Sequence, residues 1–140
     1  MVDARSLPLE TLVTYERDLF PAERATFLAA WLAMPGTVSR AVVDGDQLLG
    51  WALRRPCIEG YKVGPLFADE PEIADDLLRA LAADAAGLLY LDIPDPNNAG
   101  RALAARHDMR SIFTTTRMYD GSPPRLDHDR IFGVTSLELG

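Results

Sequence analysis

Arg55-Pro56-Cys57-Ile58-Glu59-Gly60-Tyr61-Lys62-Val63-Gly64-Pro65-Leu66-Phe67-Ala68-Asp69 runs directly into an amphipathic stretch. Tyr61–Ala68 reads as a strand that stops abruptly. Asp69 then stands as a helix cap, with Pro71 in the first turn. Ile73, Leu77, Leu78 and Leu81 fall on one helical face, and Gly87 closes the segment. A strand that delivers its last residues to a helix start presents backbone N–H groups where a phosphate-bearing ligand can dock. The charge here opposes that use. Asp69, Glu70 and Glu72 crowd the first turn, Pro71 removes one N–H, and Asp69–Asp76 contains no glycine. Each close carboxylate–phosphate pair costs on the order of 1 kcal/mol even in a wet site.

Upstream of this junction, Val2–Ser6 suggests a short strand, followed by a helix start at Ser6-Leu7-Pro8. Leu9, Leu12, Val13, Glu16 and Leu19-Phe20 recur at helical spacing until Pro21 interrupts. A second helix is expected over Ala22–Met34, with Phe27, Leu28, Trp31 and Leu32 on one side, ended by Pro35-Gly36. Arg40–Val43 and Leu48–Arg54 flank Asp44-Gly45-Asp46, a hairpin turn signal. Downstream, Leu88–Ile93 is a near-continuous apolar run, the mark of a central strand. Pro94-Asp95-Pro96-Asn97-Asn98 opens a helix to about His107. Ser111–Tyr119 is rich in Thr and aromatics and predicts a strand. Asp120–Asp129 reads as a loop, and Ile131–Leu139 as a final strand.

The chain has 140 residues, which is most simply one domain large enough for its own core. Fourteen Lys and Arg against 21 Asp and Glu leave a net charge of −7. An acidic chain without a basic run argues against nucleic acid and against an anionic membrane surface as partners. The N-terminus lacks a signal-peptide core, and no apolar run is long enough to span a bilayer. Cys57 is the single cysteine, so no internal disulfide forms, which is compatible with a reducing cytoplasm. Helices alternating with strands around a mixed sheet make an α/β or α+β sandwich.

The element order, together with Gly60-Tyr61-Lys62-Val63-Gly64-Pro65-Leu66-Phe67-Ala68-Asp69, Asp92-Ile93-Pro94, Arg117-Met118-Tyr119 and the Ile131–Gly140 tail, resembles the GNAT superfamily of N-acyltransferases. Within it, the chain is similar to a subgroup in which such sequence forms the C-terminal half of a two-domain protein. The resemblance covers nearly the whole length. It implies a mixed, mostly antiparallel sheet with a splay between the fourth and fifth strands, here Tyr61–Ala68 and Leu88–Ile93. It further implies acetyl-CoA, or another acyl-CoA, in that splay, and transfer of the acyl group to the amine of a small molecule or peptide. Backbone groups near Leu66, Phe67 and Ala68 would bond the thioester and pantetheine. The family's pyrophosphate loop carries spaced glycines, and this chain has the acidic turn instead. Asn97 or Asn98 matches the Asn that the family often has at the next helix start, although capping alone explains an Asn there. Alanine stands where the family has a Tyr acid, within Ala102-Leu103-Ala104-Ala105-Arg106. Arg101 and Arg106 fit either CoA phosphates or a solvated helix face.

Asp92, near a strand end, is the candidate general base, with bracing of the adjoining turn as the alternative. Tyr61, Lys62, Arg117 and Tyr119 suggest a polar acceptor pocket, or half-buried cross-strand pairs. Cys57 has no visible His partner and reads as an incidental thiol. Asp127-His128-Asp129 lacks further ligands, so no metal is expected. His107 suits a helix C-terminus, while Trp31 and Trp51 suit packing. Gly64-Pro65 inside a strand suits a bulge or the splay. The rival to an enzyme is a non-catalytic domain that binds a small ligand or pairs with another GNAT domain. A homodimer fits a final strand that leaves an open edge.

Overall fold

Strand-forming and helix-forming segments alternate as expected in the computed structural model, which describes residues 1–138. Leu139, the last residue of the expected final strand, and Gly140 lie outside the described residues. Strands β1 (Val38–Asp44) and β2 (Gln47–Pro56) form an antiparallel hairpin. Asp44 pairs with Gln47 across the two-residue turn Gly45-Asp46, and Gly45 takes a φ of +57° that glycine adopts without strain. Strand β3 (Tyr61–Ala68) lies antiparallel to β2. The register slips between Ala52 and Arg54, opposite Gly64-Pro65. A proline has no N–H for the ladder, so this pair sits in a bulge, as its sequence suggested.

Helix α1 (Leu9–Tyr15) and helix α2 (Ala25–Ala33) cover one face of the sheet, and α3 (Pro71–Ala82) and α4 (Asn98–Arg106) belong to the other. Alternation along the strands feeds both faces. Trp51, Leu53 and Phe67 pack with Leu12, Leu19 and Leu28 on the first face. Ala52 and Leu66 pack with Leu77, Leu81, Leu103 and Phe132 on the second. The stripe expected on α3 is therefore in the core, with Ile73 half-buried at its margin. The short strand β4 (Leu89–Leu91) runs parallel to β3 from Tyr61↔Leu89 to Val63↔Leu91. The sheet order is β1-β2-β3-β4, and β5 (Ile131–Gly133) also pairs with β3.

Several expectations are corrected. Val2 makes only an isolated bridge to Ala41, and a single 3-10 turn, Ala4–Ser6, follows it. The strands taken as fourth and fifth are therefore β3 and β4. The second helix begins at Ala25 rather than Ala22, because Arg24 keeps a non-helical backbone while its side chain reaches Glu16. Asp69 does not cap α3. Glu70 holds the cap position without a side-chain bond, and Asp69 turns to Tyr15 and Arg130. Helix α3 ends at Ala82, ahead of Gly87. Leu88–Ile93 contracts to the three residues of β4 at the sheet's edge, half-buried rather than central. Ser111–Tyr119 forms no strand: its residues are all exposed and make no backbone hydrogen bond to any described residue. The final strand covers only Ile131–Gly133 of the expected run.

Candidate functional site

Strands β3 and β4 run side by side only over Tyr61–Val63. Beyond that point the chain's own C-terminal segment enters between them. Strand β5 pairs antiparallel with β3 at Leu66↔Gly133 and Phe67↔Ile131, and the Val134 N–H donates to the Asp92 carbonyl at 2.9 Å. The splay thus exists, and a strap of the same molecule fills it. The backbone approach is close. A Cβ on Gly64 would fall 2.5 Å from the Thr135 carbonyl oxygen and 2.6 Å from that of Val134. One on Gly133 would collide with Leu91 and press on Leu66. Only residues without side chains let three strands converge here.

Three polar contacts fix the strap. The first is Asn97, fully buried at the start of α4. Its Oδ1 accepts from the Gly100 N–H at 2.8 Å, the capping bond that the sequence suggested. Its Nδ2 donates to the carbonyls of Ile131 at 2.9 Å and Asp129 at 3.2 Å. The second is Arg24, whose Nη2 donates to Thr135 Oγ1 at 2.8 Å and whose Nε donates to Glu16 Oε2 at 2.7 Å. Both ions are buried, and the Phe20 ring lies 3.9 Å from the Arg24 guanidinium. Burial raises the Glu16 carboxyl above its ordinary value, and the bond from Arg24 acts against that rise. The third is Arg130, just before β5. Its Nε donates to Asp69 Oδ1 at 2.9 Å, and the Tyr15 hydroxyl donates to the same oxygen at 2.8 Å. Burial, and then the bond to Asp69, holds the Tyr15 phenol above its ordinary value.

The expected site residues are therefore dispersed. Leu66, Phe67 and Ala68 are buried, with β2 on one edge and β5 on the other at Leu66 and Phe67. Asn98 is exposed, and Arg101 bonds to it and to Asp95. Asp92 and Lys62 do come together, as a half-buried ion pair. Asp92 is thus matched to a cation rather than standing as a lone carboxylate over a cleft. Tyr61 lies under the Arg54 guanidinium at 4.6 Å. Arg117 and Tyr119 are exposed and bond to each other at 3.3 Å, so the four-residue acceptor pocket is not assembled. Trp51 is core, while Trp31 stacks on Phe27 and donates to the Gly64 carbonyl at 3.0 Å. His107 meets Asp75 at 2.5 Å. Among the described residues, no group of three His, Cys, Asp or Glu is placed to hold a metal ion, and no helix is long and apolar enough to cross a membrane.

Sequence reasoning missed the roles of Arg24, Arg130, Tyr15 and Thr135. One signal was available: Glu16 falls in an apolar face, and a carboxylate there needs a cation. Acyl-CoA does not fit this cleft as it stands. The β3 edge that would bond the pantetheine is taken by β5. The first turn of α3 carries exposed Glu70 and Glu72 in place of glycines.

Comparison with known proteins agrees with this geometry at the level of fold. The family model described as an acetyltransferase (GNAT) domain matches residues 12–133. The holothin acyltransferase of Pseudoalteromonas sp. (strain SANK 73390) is 27% identical over 134 residues, which cover 94% of this chain and 46% of that protein. The crystal structure of a candidate acetyltransferase from Pyrococcus horikoshii aligns with a TM-score of 0.80 at 22% identity, over 99% of this chain and 45% of that one. The chain spans about half the length of these two proteins.

Proposed function

The chain belongs to the acetyltransferase (GNAT) domain family, whose members use acyl-CoA co-substrates, and from that premise we propose that it is the half of an N-acyltransferase that does not itself hold the acyl-CoA. One observation carries this reading: β5 occupies the place on β3 where the co-substrate would bind. The length of the relatives supports it, since each has room for a second domain of similar size. We assign the chain to the subgroup in which this domain is the C-terminal half. The acyl group passes to an amine of a small molecule or peptide, with a cytoplasmic setting in which acetyl-CoA is available. In the other half, an amine attacks the thioester directly, and backbone N–H groups polarise its carbonyl. This domain supplies a wall to the site, and its Lys62 and Asp92 are paired with each other.

Calorimetric titration of the purified chain with acetyl-CoA tests the reading, with Glu72→Gly beside it. No saturable heat is expected from either protein up to about 1 mM ligand. Micromolar binding by the native chain overturns the reading. Binding by Glu72→Gly alone also overturns it, because the block would then be the acidic turn and not the strap.

A further inference from the structure

Arg55 and Lys62 are partners in the β2–β3 ladder, so their side chains leave the sheet on the same face, directly opposite each other. Two like charges so placed destabilise a ladder unless a carboxylate offsets them. Asp92 does this for Lys62. Arg55 has no such relief. Its Nε–H is buried and bonds to no described group, and its Nη1 meets a weak acceptor, Cys57 Sγ, at 3.9 Å. Arg24, Arg54 and Arg130 each meet a carboxylate. The chain has 21 Asp and Glu, yet none of those described forms an ion pair with Arg55.

The Arg55 side chain is nonetheless held in place. It is half-buried, and its guanidinium lies 5.5 Å from the centroid of the Trp31 ring. Trp31 is fixed in turn by its stack on Phe27 and its bond to the Gly64 carbonyl. A stacked guanidinium presents its fork already oriented, and that fork matches the two oxygens of a carboxylate.

We propose that Arg55, with Lys62 beside it and Trp31 beneath it, is a binding site for one carboxylate group of a small molecule, and that Glu138 competes for it. Charge selects a single carboxylate. Arg55 and Lys62 against Asp92 leave a net charge of +1, which a carboxylate neutralises and a phosphate dianion exceeds. Glu138 is the chain's own carboxylate on this side. It is exposed and pairs with neither cation among the described residues. Its own N–H and the Ser136 hydroxyl are the main causes holding its carboxyl below the ordinary value, and the charges of Arg55 and Lys62 add to them. The site lies at the start of β3, whereas β5 pairs with that strand at Leu66 and Phe67. The inference is therefore independent of whether the strap excludes acyl-CoA.

Titration of the isotope-labelled purified chain with N-acetylglycine, followed by NMR, tests this. The Arg55 Nε–H and Trp31 indole N–H signals should move together, with a dissociation constant of about 1 mM, while the indole of buried Trp51 stays in place. N-acetylglycinamide, which lacks the carboxylate, and inorganic phosphate should each bind about tenfold more weakly. Arg55→Gln should lose about tenfold, and Glu138→Gln, a change at an exposed position that leaves the fold intact, should gain about threefold. Arg40→Gln removes a half-buried cation on β1, bonded to the Ser39 carbonyl, and should bind like wild type. Wild type without saturable shifts overturns the proposal. So does equal binding of the amide or of phosphate, full affinity in Arg55→Gln, an equal loss in Arg40→Gln, or a Glu138→Gln chain that binds no more tightly than wild type.

Discussion

At the scale of single residues, Asn97 and Asn98 separate what a sequence can say from what it cannot. Both are good capping residues, and nothing in the local spacing ranks them. In the structure Asn97 is fully buried and serves three backbone groups, two of them on the strap. Asn98 is exposed and touches Arg101. Asn97→Ala should therefore cost about 2–3 kcal/mol, the sum of a lost cap and two carbonyls left without a donor. Asn98→Ala should stay within about 0.5 kcal/mol in the same urea unfolding series. Asp69 shows the complementary failure. Its position before Pro71 is that of a cap, but its partners Tyr15 and Arg130 lie 54 and 61 residues away in sequence. Local chemistry predicts a residue's options, and long-range contacts choose among them.

At the scale of elements, the long apolar faces were legible, and the short strands were not. The stripe of α3 follows from periodicity alone, and the whole span of β3 was expected as a strand. Leu88–Ile93 is apolar enough for a central strand, yet β5 reaches β3 first, and only Leu89–Leu91 keep their ladder. Hydrophobicity reports burial and is silent about which strand is the neighbour. The α3–α4 contact is similarly hidden. His107 was read as a helix terminus, where it does lie, but its Nε2 also meets Asp75 on α3. The bond with His107 is the main cause holding the Asp75 carboxyl below its ordinary value of 3.8, and Arg79 adds to it. A carboxyl lowered by folding contributes stability that is complete above its unfolded pKa and lost as pH falls through the folded one. Wild type should accordingly lose more stability than Asp75→Asn between about pH 5 and pH 3. Thermal melts of both proteins at matched ionic strength across that interval would measure the difference.

At the scale of the whole molecule, two apolar layers share one sheet, and that much was readable from the alternation of helices and strands. Leu28 anchors one layer and Leu77 the other, both fully buried. Replacing either with Ala should cost about 2–5 kcal/mol. The two sites lie on opposite faces of the sheet, so the double variant should show the sum of the single losses, within about 0.5 kcal/mol. Coupling well beyond that in denaturant titrations would mean that the faces communicate through the strap. The candidate site was less legible than the fold, for a physical reason. Leu66, Phe67 and Ala68 were expected to act through backbone groups that any sequence provides, and whether those groups are free depends on β5, a three-residue strand with little pattern of its own.

The strap also sets an order in time. A ribosome releases a chain from its N-terminal side, and β5 follows every other described strand. While residues near 130 are still in the exit tunnel, the gap between β3 and β4 beyond Val63 has no strap to fill it. The place of Phe132 in the core stays open until then. The sheet therefore cannot be completed piecemeal during synthesis. Its middle closes last, and until then the nascent domain carries an open seam.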